Sequence, residues 1–130
     1  MKPKLILLII IACCISCVKT LTYSKAHKVS DYSIVNMDSI TKLDGKLIEL
    51  KGFLRMDFEN VYLEYGKEKI WLDFDFFQKL MKKNNDSLDG KVLKTMMDDV
   101  ITVRGKYIIG KTGHLSAYNS KITDIVFVED

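Results

Sequence analysis

From residue 47 to residue 74 apolar side chains recur at every second position, and that alternation constrains this chain more than any other feature. Ile48, Leu50, Gly52, Leu54 and Met56 fall on one face of an extended segment, with Glu49, Lys51 and Arg55 on the other. This is the signature of a half-buried strand. Val61, Leu63 and Tyr65 then alternate with Tyr62 and Glu64, and Ile70, Leu72 and Phe74 with Trp71, Asp73 and Asp75. The stretches 57–60, polar enough for a hairpin turn, and Gly66-Lys67-Glu68 supply the turns, so three strands follow one another as a meander. Gly52 in mid-strand predicts a bend of the kind small barrels use at their corners.

After residue 75 the period changes. Phe76, Phe77, Leu80 and Met81 oppose Lys79, Lys82 and Lys83, which predicts an amphipathic helix with Asp75 as its N-cap. A second short helix is expected over 91–97, burying Val92, Leu93, Met96 and Met97 and ending at Asp98-Asp99. Alternation returns with Ile101, Val103, Gly105 and Tyr107, and residues 122–128 read as the last strand. Ahead of the meander, Asp38 can cap one helical turn carrying Ile40 and Leu43. Leu-Asp-Gly-Lys occurs at 43–46 and again at 88–91. The flanks differ, one copy preceding a strand and the other a helix, so this is shared turn chemistry rather than a repeat. Three antiparallel strands, a helical segment and two more strands make a mainly β domain. The expected architecture is a five-stranded, OB-like, partly open barrel with its helical segment between the third and fourth strands.

The N-terminus carries a different pattern. Lys2 and Lys4 precede an uncharged run from Leu5 to Ile15, then small residues and cysteines. That is the order of a secretory signal, and eleven residues are too few for a bilayer core, which takes about 20 in a helix. All three cysteines, Cys13, Cys14 and Cys17, lie in this segment. The pattern resembles a bacterial lipoprotein signal, with Ser16 before the cut and Cys17 as the lipidated residue; Cys13 is the alternative. The resemblance implies a signal peptide over 1–16, a lipidated cysteine and tether over 17–31, and a barrel domain over 32–130. It also implies a membrane anchor on the periplasmic or cell-surface side of the bacterial cell envelope, stable where more than one acyl chain such as palmitate is attached. A fourteen-residue tether spans about 45 to 50 Å when fully extended.

Taking 16 residues from 130 leaves 114, one domain's worth. No disulfide is then possible, so the core must suffice alone. Taking Lys2 and Lys4 from the 20 basic residues leaves 18 against 17 acidic ones. Such a balanced surface argues against nucleic-acid binding, which wants a clustered basic stripe.

One loop stands out. Gly110 to Ile122 contains His114, one of two histidines, between Gly113 and Leu115 and four residues ahead of Tyr118. The other, His27, lies in the expected tether. Together with Asp44-Gly45-Lys46, Gly52-Phe53-Leu54, Tyr62-Leu63, Ile70-Trp71-Leu72 and Val103-Arg104-Gly105, the Gly113-His114-Leu115 segment, Tyr118 and Ile122 resemble a family of small, exported, OB-like bacterial proteins with a Gly-His loop before the last strand. The likeness covers about residues 33–129. It implies the fold and brings no activity. Glycines are common in that family where Ser116 and Ser120 stand here, so this loop should be stiffer.

No catalytic group is assigned. A metal site needs convergent ligands, and His114 has no second soft partner once the cysteines are removed. Asp73, Asp75, Asp98 and Asp99 are oxygen ligands without a calcium-loop signature, and solvated or capping roles account for them. Ser116 lies two residues from His114, with Asp124 further on, but the strand-turn-helix elbow of serine hydrolases is missing. No cofactor is expected. A neutral imidazole offers one donor and one acceptor, so His114 reads as a latch pinning the 110–120 loop, with the Tyr118 ring beside it, or as a ligand contact at the barrel mouth. Tyr62 and Trp71 face away from the core set. They are candidate ligand-binding residues unless the helix or the N-terminal segment covers them. The function expected is a monomeric, envelope-anchored, non-catalytic binding module for a protein, peptide or glycan. The alternative is a structural or inhibitory lipoprotein occupying another protein's surface. Hydrolase and single-stranded nucleic-acid binder are the remaining classes.

Overall fold

The computed structural model describes residues 18–22, 29–35, 37–57, 60–74 and 88–130. The expected signal segment with Cys13 and Cys17, His27, and the amphipathic helix predicted over 76–83 with its Asp75 cap lie outside the described residues.

Among the described residues there are seven strands: β1 (Thr20–Thr22), β2 (Ser33–Ile34), β3 (Leu47–Asp57), β4 (Asn60–Tyr65), β5 (Glu68–Leu72), β6 (Val100–Thr112) and β7 (Tyr118–Glu129). The helix α1 (Leu88–Thr95) precedes β6. Five of the strands form a ring. β3 pairs antiparallel with β4 and β4 with β5, β5 runs parallel to β7, and β7 and β3 both pair antiparallel with β6. This is the OB-like order read from the alternation, but the hydrogen-bonded circuit is closed rather than partly open.

The alternation explains why these segments are strands and which way they face. Ile48, Leu50, Leu54, Leu63, Ile70, Leu72, Ile101 and Val103 are each at most 1 % exposed and fill the barrel. Burying an aliphatic side chain of this size is worth about 1.5–3 kcal/mol. β3 serves two partners. Its first half pairs with β6 as far as Phe53↔Val100, and from Phe53 onward it pairs with β4. Gly52 stands at that handover, where a Cβ would lie 2.7 Å from the Glu64 carbonyl oxygen. The close approach leaves no room for a side chain at the handover.

Leu93 of α1 and Met96, just past its end, are both fully buried in the barrel core. The helix starts three residues earlier than the 91–97 expected and includes the second Leu-Asp-Gly-Lys. Met97 was expected inside but is 46 % exposed. The helix has ended by then, and the 96–99 turn, with Asp98 at φ 68, swings Met97 outward. The other Asp-Gly turn docks on β6: Gly45 N donates to the Tyr107 carbonyl at 2.8 Å, and the Asp44 carboxylate accepts from Ile109 N at 2.8 Å. The turn expected after Asp38 is a 3-10 helix, Met37–Lys42, which buries Ile40.

One short strand, β1, lies within the expected tether, and another, β2, at the start of the expected barrel domain. β1 pairs antiparallel with the end of β7, Thr20 opposite Glu129 and Thr22 opposite Phe127. Lys19 N donates to Asp130 Oδ1 at 2.6 Å, and Asp130 N donates back to the Lys19 carbonyl at 3.2 Å. β2 adds parallel to β3. Residues 20–22 are therefore part of the sheet, with Lys19 hydrogen-bonded at its end. Among the described residues no helix is long and apolar enough to cross a membrane.

Candidate functional site

β6 does not stop at Tyr107 but runs to Thr112, and β7 begins at Tyr118. The loop expected over 110–120 is thus only residues 113–117, most of it a 3-10 turn, His114–Ser116. Ser116 N donates to the Gly113 carbonyl and Ala117 N to the His114 carbonyl, each at 3.1 Å. At the base, Lys111 Nζ donates to Asn119 Oδ1 at 2.7 Å.

Aromatic rings clamp this turn from below. Tyr62 and Trp71 are direct partners across β4 and β5. The Tyr118 ring sits against both, with centroids 5.5 Å from Tyr62 and 5.3 Å from Trp71 in tilted geometries. These are favourable distances for aromatic pairs. Gly113 lies on the cluster. A Cβ at this position would stand 2.5 Å from Tyr118 Cδ2 and 2.8 Å from Trp71 Cε3. Its backbone, φ 74 and ψ −171, is in a region essentially confined to glycine. Lys69 Nζ covers the Tyr62 ring at 5.3 Å, and Lys121 Nζ donates to Asp73 Oδ2 at 2.6 Å beside Trp71. Burial pushes the Tyr118 hydroxyl above its ordinary pKa, and the neighbouring Tyr62 and Asp57 add to the shift.

The structure therefore brings Tyr62, Trp71 and Tyr118 together, but not as an open stacking platform. Tyr62 is 9 % and Tyr118 7 % exposed, and Trp71 is half-buried. Among the described residues, the Tyr118 ring and Lys69 Nζ lie against the Tyr62 ring. His114 is exposed on the turn, and the close packing in this region is between Gly113, Tyr118 and Trp71. Ser116 and Asp124 are exposed as well. Asp73 is taken by Lys121 and Asp98 by Arg55. Among the described residues no group of three or more His, Cys, Asp or Glu side chains is placed to hold a metal.

The residue that the sequence did not single out is Leu115. It is 87 % exposed at the tip of the turn, in the left-handed region at φ 53 and ψ 26. Ser116 follows it there at φ 56. No known protein family, curated protein or solved structure matches the chain.

Proposed function

We propose that the protein is a lipid-anchored envelope protein whose barrel is a non-catalytic docking module, and that a protein partner grips the 113–117 turn by Leu115, with His114 at the rim of the contact. The basic-apolar-small-Cys order at the N-terminus supports the anchor, with Cys17 as the lipidated residue.

One observation carries the docking reading. Leu115 combines two unfavourable features, an almost fully exposed leucine and a backbone conformation that costs a non-glycine residue about 1–2 kcal/mol. A glycine or asparagine would meet the turn's geometry without either. Strain of this sort persists where the surroundings enforce it and concentrates at functional positions. Here the aromatic clamp enforces it. The buried state of Tyr62 and Tyr118 disfavours a stacked glycan and leaves a protein or peptide as the ligand class.

Leu115→Asn separates function from folding. The substitution should raise stability by roughly 0.5–1 kcal/mol, because asparagine tolerates the left-handed region. It should also abolish capture of the stoichiometric protein partner that the wild-type chain retains from envelope extract. An Asn variant that captures the partner as well as wild type sinks the reading. Assaying the captured partner with and without this protein then separates an inhibitory from a purely structural role.

A further inference from the structure

The pairing of β1 fixes where an anchor at Cys17 would leave the domain. Only Val18 and Lys19 separate Cys17 from the first residue of β1. Three Cα steps reach about 10 Å when fully extended, against the long tether that residues 18–31 would otherwise supply. Lys19 is held by its main chain to Asp130 and by Nζ to the Thr95 carbonyl at 3.2 Å, at the end of α1. The chain thus leaves the barrel beside the last turn of α1 and the end of β7.

That end is also where apolar side chains collect on the outside. Val18 is 57 % exposed, Phe53 46 %, Met97 46 % and Val100 40 %. Phe53 and Val100 are cross-strand partners, and the 97–99 segment is tied to β3 through Asp98 N to the Leu54 carbonyl and Leu54 N to the Asp99 carbonyl. The charges interspersed here are partly neutralised in place, Lys19 with Asp130 and Arg55 with Asp98. The Leu115 turn is at the other end of β7, whose eleven steps cover about 36 Å of strand at 3.3 Å each.

Resting on the lipid-anchor reading above, we infer that the Val18, Phe53, Met97 and Val100 end of the barrel lies on the lipid surface, so that the Leu115 turn is held facing away from the membrane. Contact through apolar side chains beside paired charges needs no anionic lipid and is insensitive to salt.

Cleavage before Cys17 removes Cys13 and Cys14, and the Cys17 sulfur carries the lipid, so the lipidated chain has no free thiol and Met97→Cys and Leu115→Cys can each carry one fluorescent thiol probe. Both positions are exposed. Each labelled protein is reconstituted into phosphatidylcholine vesicles containing a headgroup-quencher lipid, after acyl labelling has been read with Cys17→Ser as control. The expected result is acylation, strong quenching at position 97, little at 115, and no change with added salt. Acylation with equal quenching at both positions, or with stronger quenching at 115, overturns the orientation and leaves the anchor standing. No acylation, or acylation unchanged in Cys17→Ser, overturns both.

Discussion

Gly113→Ala tests whether the aromatic cluster shapes the turn. The added methyl meets Tyr118 Cδ2 at 2.5 Å and Trp71 Cε3 at 2.8 Å, well inside contact distance, and the backbone angle there resists any side chain. The strain contributes about 1–3 kcal/mol and the overpacking about 1–3 kcal/mol more. Alanine recovers roughly 0.4–1 kcal/mol by restricting the unfolded chain. The net expectation is a loss of about 3 kcal/mol, a large part of a typical domain stability of roughly 5–15 kcal/mol. Gly45→Ala is the internal comparison. Its φ of 73 matches that of Gly113, but nothing lies within 4 Å of the new Cβ. Strain alone, less the unfolded-state gain, predicts a loss of about 1 kcal/mol or less. Trp71 is the only tryptophan and sits against Gly113, so its fluorescence follows both unfolding and the local packing. Urea denaturation of the three proteins decides the matter. If Gly113→Ala loses no more than Gly45→Ala, with unchanged Trp71 emission, the rings do not clamp the turn.

Two other outcomes are expected. Leu93→Ala, which empties a fully buried site under α1, should cost about 2–5 kcal/mol, whereas Met97→Ala should stay within about 0.5 kcal/mol of wild type; denaturation midpoints check both, and a costly Met97→Ala would return that residue to the core. Tyr118 is held above its ordinary pKa by burial first and by Tyr62 and Asp57 next, so the folded chain keeps its proton after the unfolded chain has begun to ionise near pH 10. Its contribution is complete below that pH and is lost as pH rises toward the folded value, so stability measured from about pH 9 to 11 should fall more steeply in wild type than in Tyr118→Phe.

The barrel was legible because its code is local. β3, β4 and β6, and the run through β5 to Phe74, declare their inner face by alternation over at least three apolar positions, and the turns between β3, β4 and β5 are, Phe58 apart, polar or glycine. β1 has no such signal. Three residues are too few to show a period, and what makes Thr20–Thr22 a strand is pairing with residues 127–129, more than a hundred positions away. The same reason hid the end of β6. Ile109 and Gly110 are exposed, so the alternation fades although the ladder continues, and the glycines looked like the boundaries of a longer loop.

The site was half legible for a related reason. Alternation placed Tyr62 and Trp71 outside correctly, as positions on a pleated strand. It could not say what would lie over them, since Tyr118 reaches both from a strand that follows them by more than forty residues. His114 drew attention by chemistry, as the rare side chain with a donor and an acceptor. The loop is instead built around what glycine lacks and tyrosine has: no Cβ at 113 and a ring at 118. Once those two are in place, the chain between them has four residues in which to turn. Two of these, Leu115 and Ser116, are forced left-handed, and the turn has only one large apolar side chain to present. A leucine raised on a strained turn over a packed aromatic base leaves its apolar surface exposed, and neither composition nor period in the sequence carries that information.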